Sequence, residues 1–218
     1  EVHKDNLDKF YPIIIDLLRN PRFADDDFSR AKSNQLNYVS EVIHSSSDEE
    51  YSKKYLENFL FRGTNMAHLV DGTADGVNSI TLNDVRAHYK NFFGTNNLTI
   101  GIAGNYSDDF LSKLKSDLGG LPKTAMAIPE PGKGRKPNGI QVEIVSKESA
   151  LGSAVFAGFP MDITRANDDF AALMVANSWL GEHRKSYSRL YQKIREQRSM
   201  NYGDYTYIEW YNNGGSNM

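Results

Sequence analysis

The sequence contains no cysteine, and this absence removes two kinds of site from consideration. Without thiols the chain forms no disulfide bond and no zinc site with thiolate ligands. Histidine, aspartate and glutamate remain as the only strong metal ligands. The five histidines stand at positions 3, 44, 68, 88 and 183, so no two of them lie within helical reach of each other. The absence of cysteine is compatible with an oxidising compartment and with a reducing one.

Long apolar runs are also missing. No stretch approaches the roughly 20 apolar residues that a membrane-spanning helix needs, and the first residues lack the pattern of a signal peptide. The formal net charge of -3 argues against a protein that binds nucleic acid or a membrane surface, because such proteins usually carry a basic face. The chain opens at Glu1 rather than at a methionine and stops in a Gly-Gly-Ser-Asn-Met sequence. We therefore expect it to be a segment of a longer protein.

Apolar residues recur every three or four positions in several stretches, and this spacing predicts helices. The helix ahead of Asn20-Pro21 should end there, because the residue before a proline is pushed out of the helical region. The last apolar helix should end at Gly181. The predicted helices cover residues 6–18, 25–43, 48–60, 81–92, 107–118 and 168–180.

Alternation of apolar and polar residues predicts strands elsewhere, at residues 97–103, 140–145, 153–159 and 205–211. Residues 121–139 hold four of the seven prolines, and such a composition is typical of a linker rather than of a packed core. We therefore predict an inter-domain linker at residues 121–139, with residues 1–120 before it and 140–218 after it.

The stretch from Ser188 to Tyr202 combines a predicted helix with the entry to a strand. Apolar residues, Tyr191 among them, recur at helical spacing in its first part and form a stripe that can pack inward, and aromatic residues alternate beyond it. This layout can hold the guanidinium of Arg195 and the phenol of Tyr202 close together on rigid elements, although seven residues separate them. Taken alone, an arginine on a solvated helix face and a tyrosine filling a strand are the simpler interpretation.

Several short motifs occur in a set order along nearly the whole chain. They are Asn20-Pro21-Arg22-Phe23, Phe28-Ser29-Arg30, Ile80-Thr81-Leu82-Asn83-Asp84-Val85 with Tyr89, Asn97-Leu98-Thr99-Ile100-Gly101-Ile102-Ala103-Gly104, Leu180-Gly181, Ser188-Arg189-Leu190, and Ile194-Arg195-Glu196 with Tyr202. In this order the chain resembles the insulinase/pitrilysin-type zinc metallopeptidases, the zincins with an inverted His-x-x-Glu-His motif.

The resemblance implies a fold and an activity. The fold would be α+β, with paired metallopeptidase-like domains that each pack helices on one face of an antiparallel sheet and together enclose a chamber for unfolded peptides. Residues 1–120 would be the C-terminal part of one such domain, and residues 140–218 the N-terminal part of a second. The activity would be peptide hydrolysis by zinc-activated water.

The resemblance also implies a site. In this family an arginine and a tyrosine seven residues apart reach the bound peptide from the domain opposite the zinc, and Arg195 and Tyr202 match that pair. Their side chains suit this role, because a guanidinium and a phenol can donate to a substrate carbonyl and to the oxyanion that forms as water attacks. We therefore expect Arg195 and Tyr202 to be substrate-binding and catalytic residues.

The chain departs from the family at the metal site. It has no His-x-x-Glu-His motif, and the carboxylates expected eight residues after Arg30 and directly after it are replaced by Tyr38 and Ala31. Neither side chain can replace a carboxylate at a zinc site. We therefore expect no metal ligand and no cofactor in this segment, with zinc supplied by the parent protein or by a partner subunit.

Two functions from different classes follow. In the first, the segment supplies the substrate-binding, non-metal side of a zinc metalloendopeptidase and is inactive alone. Its partners would be peptide substrates and a homologous zinc-bearing subunit or a second copy. In the second, it belongs to a non-catalytic structural or peptide-binding subunit. The resemblance favours a periplasmic or secreted location, and the absence of cysteine permits the cytoplasm as well.

Overall fold

A computed structural model of the chain describes residues 1–124, 126–148, 150, 152–210 and 216–217. Helices provide most of its regular structure. They are α1 (Leu7–Arg19), α2 (Asp25–Asn37), α3 (Asp48–Phe61), α4 (Ala74–Ser79), α5 (Leu82–Phe92), α6 (Asp108–Gly119) and α7 (Phe170–Gly181), with π-helical segments at Tyr38–Ser46 and Tyr191–Glu196 and 3-10 turns at Lys4–Asn6 and Thr95–Asn97. Among the described helices, none is long and apolar enough to cross a membrane.

The predicted antiparallel-sheet α+β fold class is wrong. The described strands are β1 (Pro160–Met161), β2 (Glu209–Trp210) and β3 (Ser216–Asn217), each only two residues long. They pair antiparallel in the order β1-β3-β2. The described parts of 97–103, 140–145 and 153–159 form no strand, and the end of the predicted strand at Tyr211 lies outside the described residues.

The error has a physical cause. Alternating apolar and polar residues show that one face of a strand could be buried. A strand is stable, however, only when a neighbouring strand and a covering layer are present, and the alternation does not provide them. In residues 140–145 the apolar side stays in solvent, since Ile140 is 96% and Ile144 is 85% exposed. Val155 is likewise 89% exposed. The sequence pattern is present in these segments, but the packing that would turn it into a sheet is not.

The chain divides into two compact units. One comprises Glu1–Ser40 and Asp71–Pro129, and the other comprises Glu41–Val70 and Glu130–Met218. The helix predictions are confirmed in both units, and most observed ends lie within a few residues of the predicted ones. The helix predicted at 25–43 differs, because its last turns are π-helical. The division into domains 1–120 and 140–218 stays a prediction.

In the first unit, α1 is anchored through a buried tyrosine. Tyr11 lies on α1, its ring packs edge-on against Phe110 of α6 at 5.1 Å, and its hydroxyl donates to the Asp117 carboxylate at 2.8 Å. Burial and this hydrogen bond raise the pKa of Tyr11 to about 12. The two helices are thus held by an apolar and a polar contact from one side chain.

The start of α5 shows how local sequence fixes a helix end in this unit. The Thr81 hydroxyl accepts from the Asp84 amide at 3.3 Å, and the Asp84 carboxylate accepts from the Thr81 amide at 2.8 Å. These reciprocal bonds form a capping box. Hydrogen bonds from the Thr81 hydroxyl and amide hold the pKa of Asp84 below its usual value. The helix start predicted at Thr81 is confirmed.

The second unit contains α3 and α7. Its buried apolar residues are Ile43, Leu60, Phe61 and Ile208. Lys147 pairs with Asp48 at the N-terminus of α3 at 2.5 Å, and Arg62 pairs with Glu143 just beyond the C-terminal end at 2.9 Å. These pairs attach the extended segment 140–148 to both ends of α3.

Ser188 is the most deeply buried polar side chain of the described residues, at 0% exposure, and its hydroxyl has no hydrogen-bond partner there. Ser188→Ala removes this unpaired group, so the free energy of unfolding should stay equal or rise by up to about 1 kcal/mol. Urea denaturation measures this change. The matched control is Thr206→Val, which removes a hydroxyl that donates to Asn177 at 2.8 Å and should cost about 1–3 kcal/mol. Equal losses in both variants would contradict the assignment of Ser188.

Candidate functional site

The predicted pair lies on a helical turn followed by a sharp reversal of the chain. Residues 189–196 are helical. The turn ends at Ser199, whose φ of 52° lies in the left-handed region. The Ser199 amide donates to the Arg195 carbonyl at 2.8 Å, and the Met200 amide donates to the Ile194 carbonyl at 3.2 Å. This left-handed cap turns the chain back, so that Tyr202 returns towards the helical turn.

The structure brings the two predicted residues together. The guanidinium carbon of Arg195 lies 4.8 Å from the centre of the Tyr202 ring, in a cation–π contact. The Tyr202 side chain is otherwise open to solvent, with 84% of its surface exposed. The pair therefore forms one donor group, in which Arg195 is half-buried and Tyr202 is exposed.

Tyr191 is a third member of this group that the sequence analysis did not single out. Its ring centre also lies 4.8 Å from the Arg195 guanidinium carbon. The spacing of Tyr191 and Arg195 in the sequence could have indicated this contact, because residues four apart on a helix are neighbours. Tyr191 had been assigned to the apolar stripe, where it counted as packing.

The donor atoms of this group are unused within the described structure. There, the Arg195 guanidinium forms no hydrogen bond or ion pair, and the Tyr202 hydroxyl forms no hydrogen bond. A guanidinium carries five N–H donors in a planar fork, and a phenol adds one O–H. The arrangement can therefore bind an acceptor-rich ligand, such as a carbonyl or a carboxylate, from solvent.

Beneath this group, α7 fixes the segment that follows Tyr202. The Thr206 amide donates to the Gly181 carbonyl at 2.6 Å, and the Thr206 hydroxyl donates to the Asn177 side chain at 2.8 Å. Gly181 permits this approach because a Cβ there would lie 2.8 Å from Leu190 Cδ1 and 3.0 Å from the Thr206 nitrogen. The last residue of α7 thus sets the position of both the helical turn and the returning chain.

The residues on either side of Thr206 belong to a mixed aromatic and charged cluster. The Tyr205 hydroxyl donates to Glu49 at 2.9 Å, and the ring meets His183 edge-on at 4.7 Å. The bond to Glu49 and burial raise the pKa of Tyr205. Lys53 lies 4.9 Å from the centre of the Tyr207 ring and 3.7 Å from Glu209. These contacts fix the strand-like segment to α3.

The side chains present do not fit a zinc ion. In the described part of the chain, no three histidine, aspartate or glutamate side chains converge on one point. Tyr38 opens the π-helical segment and is partly exposed, and Arg30 is paired with Asp27 at 2.6 Å. The position where a zinc carboxylate was expected therefore carries a phenol, and we assign no step to a metal bound by these residues.

Comparison with known proteins decides the family. The family model described as the peptidase M16 inactive domain matches residues 79–217, more than half of the chain. The chain belongs to this family. The match includes Arg195 and Tyr202, and it agrees with the resemblance to insulinase-type metallopeptidases drawn from the motifs.

Curated relatives of this M16 chain carry two kinds of description. A Helicobacter pylori protein described as the non-peptidase homolog YmxG is 27% identical over 207 residues, covering 94% of this chain and 46% of that protein. A Bacillus subtilis protein described as the uncharacterized zinc protease YmxG is 19% identical over 203 residues, covering 93% and 47%. The chain thus spans about half the length of these relatives.

A solved structure supports the fold. The crystal structure of the peptidase M16 inactive domain from Pseudomonas fluorescens matches with a TM-score of 0.71 at 21% identity. The match covers 98% of this chain and 51% of that one. At this identity the likeness concerns the fold alone.

Gly181→Ala should destabilise the M16 chain by about 1–3 kcal/mol, because the added methyl group would press on Leu190 and on the Thr206 backbone. Thermal or urea unfolding measures the loss. Gly203→Ala is the matched control, since a Cβ at Gly203 meets nothing within 4 Å and should change stability little. If the two variants were equally stable, the close approach at Gly181 would not be what positions the site.

Proposed function

We propose that this M16 chain supplies the peptide-binding, non-metal side of a zinc metalloendopeptidase assembly, with Arg195 and Tyr202 contacting the peptide. The single observation that carries the proposal is the stack of the Arg195 guanidinium on the exposed Tyr202 ring. Two donor side chains that meet at the surface can act on one ligand.

The chemistry of the pair fits an extended peptide. A peptide backbone presents one carbonyl acceptor per residue, and an unfolded peptide leaves these acceptors accessible. The guanidinium of Arg195 can bind a carbonyl through its fork, and the Tyr202 hydroxyl can donate to the same or a neighbouring acceptor. If that carbonyl is the one attacked by water, the same donors stabilise the oxyanion that develops there.

The metal in this proposal lies outside the described residues. Since these residues do not fit zinc, the ion would be held by another part of the parent protein or by a homologous zinc-bearing subunit. The fact that the chain spans about half of its relatives leaves room for either source. A second copy of the chain is the alternative partner. The chain by itself would bind peptides without hydrolysing them.

A second candidate function is a non-catalytic structural or peptide-binding subunit. It is favoured by the Helicobacter pylori relative, which is described as a non-peptidase homolog. In a peptide-binding subunit, Arg195 and Tyr202 would bind peptides without hydrolysis. In a purely structural subunit, the two residues would have no part in assembly.

Arg195→Ala should weaken peptide binding about tenfold to a hundredfold, because charge-assisted hydrogen bonds contribute about 1.5–3 kcal/mol. Tyr202→Phe keeps the ring under the guanidinium and removes only the hydroxyl, so it should weaken binding about two- to tenfold. Fluorescence anisotropy with a labelled, unstructured peptide measures both. Neither variant should lower the melting temperature appreciably, because these polar groups have no described hydrogen-bond partner.

Arg189→Ala provides the matched control. Arg189 also stacks on an aromatic ring, that of Trp179 at 5.6 Å, but lies outside the proposed contact. Its loss should leave peptide affinity unchanged. Unchanged affinity in Arg195→Ala would remove the peptide-binding assignment, and a wild-type chain that binds no peptide would favour the structural role.

A further inference from the structure

Tyr191 shares the Arg195 guanidinium with Tyr202, and this sharing has a geometric consequence. Both ring centres lie 4.8 Å from the guanidinium carbon. In the described aromatic contacts, however, the two tyrosine rings do not meet each other. They therefore approach the guanidinium from different directions.

The two rings differ in how firmly they are held. Tyr191 lies on the helical turn itself and is half-buried, whereas Tyr202 lies on the returning chain and is largely exposed. Tyr191 is thus the fixed support, and Tyr202 is the side chain that is free to meet a ligand. A long arginine side chain loses about 2 kcal/mol of rotamer entropy when it is immobilised, so a support that restricts it in advance lowers the cost of binding.

We propose that Tyr191 is a positioning residue for the peptide site, which holds the Arg195 guanidinium by ring stacking so that its N–H edge faces the ligand. This inference rests on the proposed function and adds a third residue to it. The Tyr191 hydroxyl forms no hydrogen bond within the described structure, so the ring alone does the positioning.

Tyr191→Phe and Tyr191→Leu separate stacking from simple filling of space. Phenylalanine retains the aromatic face and should keep wild-type peptide affinity. Leucine fills a similar apolar volume without an aromatic face, and it should weaken binding about two- to fivefold, as expected from a cation–π contribution of about 0.5–1 kcal/mol. The measurement is anisotropy of the labelled, unstructured peptide on the full chain.

A double-mutant cycle makes the test specific to positioning. Lysine at position 195 keeps the charge but has no planar group to stack. Tyr191→Leu should therefore weaken binding less in the Arg195→Lys background than in the wild type. Trp179→Leu is the matched control, because it removes the ring from beneath Arg189 and should leave peptide affinity unchanged.

Each outcome bears on one claim. If Tyr191→Leu binds like the wild type while Arg195→Ala loses affinity, the positioning role is overturned and the proposed function stands. If Tyr191→Leu and Tyr191→Phe weaken binding equally, or if the leucine effect is the same in both backgrounds, the role of Tyr191 is general packing and the inference fails. If Arg195→Ala itself binds normally, the proposed function fails first.

Discussion

The contact between the Arg195 guanidinium and the Tyr202 ring is the interaction on which the account of this M16 chain depends. It joins a helical residue to one that follows a chain reversal, and it does so at the surface. A cation–π contact of this kind is weak in water, at about 0.5–1 kcal/mol. It therefore does not hold the fold together, and its geometry must be imposed by stronger contacts beneath it.

Those contacts come from α7 and from the cap at Ser199. The Gly181 carbonyl and the Asn177 side chain hold Thr206, and the left-handed Ser199 closes the helical turn. Backbone geometry thus sets where the guanidinium and the phenol meet. The donors themselves remain unused in the described structure, which is what a binding site requires and a structural ion pair does not.

Sequence reasoning predicted the helices well and the sheet badly, for one reason. Helical periodicity and capping residues such as Thr81 act within a few residues, so the sequence contains the whole signal. A strand depends on a partner that is distant in sequence, and the exposed Ile140 and Ile144 show that alternation alone does not provide one. The proximity of Arg195 and Tyr202 was predicted correctly because it depends on one helical turn and one reversal. The role of Tyr191 was missed because an aromatic residue on an apolar stripe is read first as packing.

The most direct test of the central claim is to observe the Arg195 side chain while peptide is added. In a ¹⁵N-labelled chain, the Nε–Hε resonance of Arg195 should shift and exchange more slowly with water as an unstructured peptide saturates the site, whereas the Arg189 resonance should stay in place. If the chain binds the peptide and the Arg195 resonance does not move, the guanidinium does not contact the ligand, and the account is contradicted.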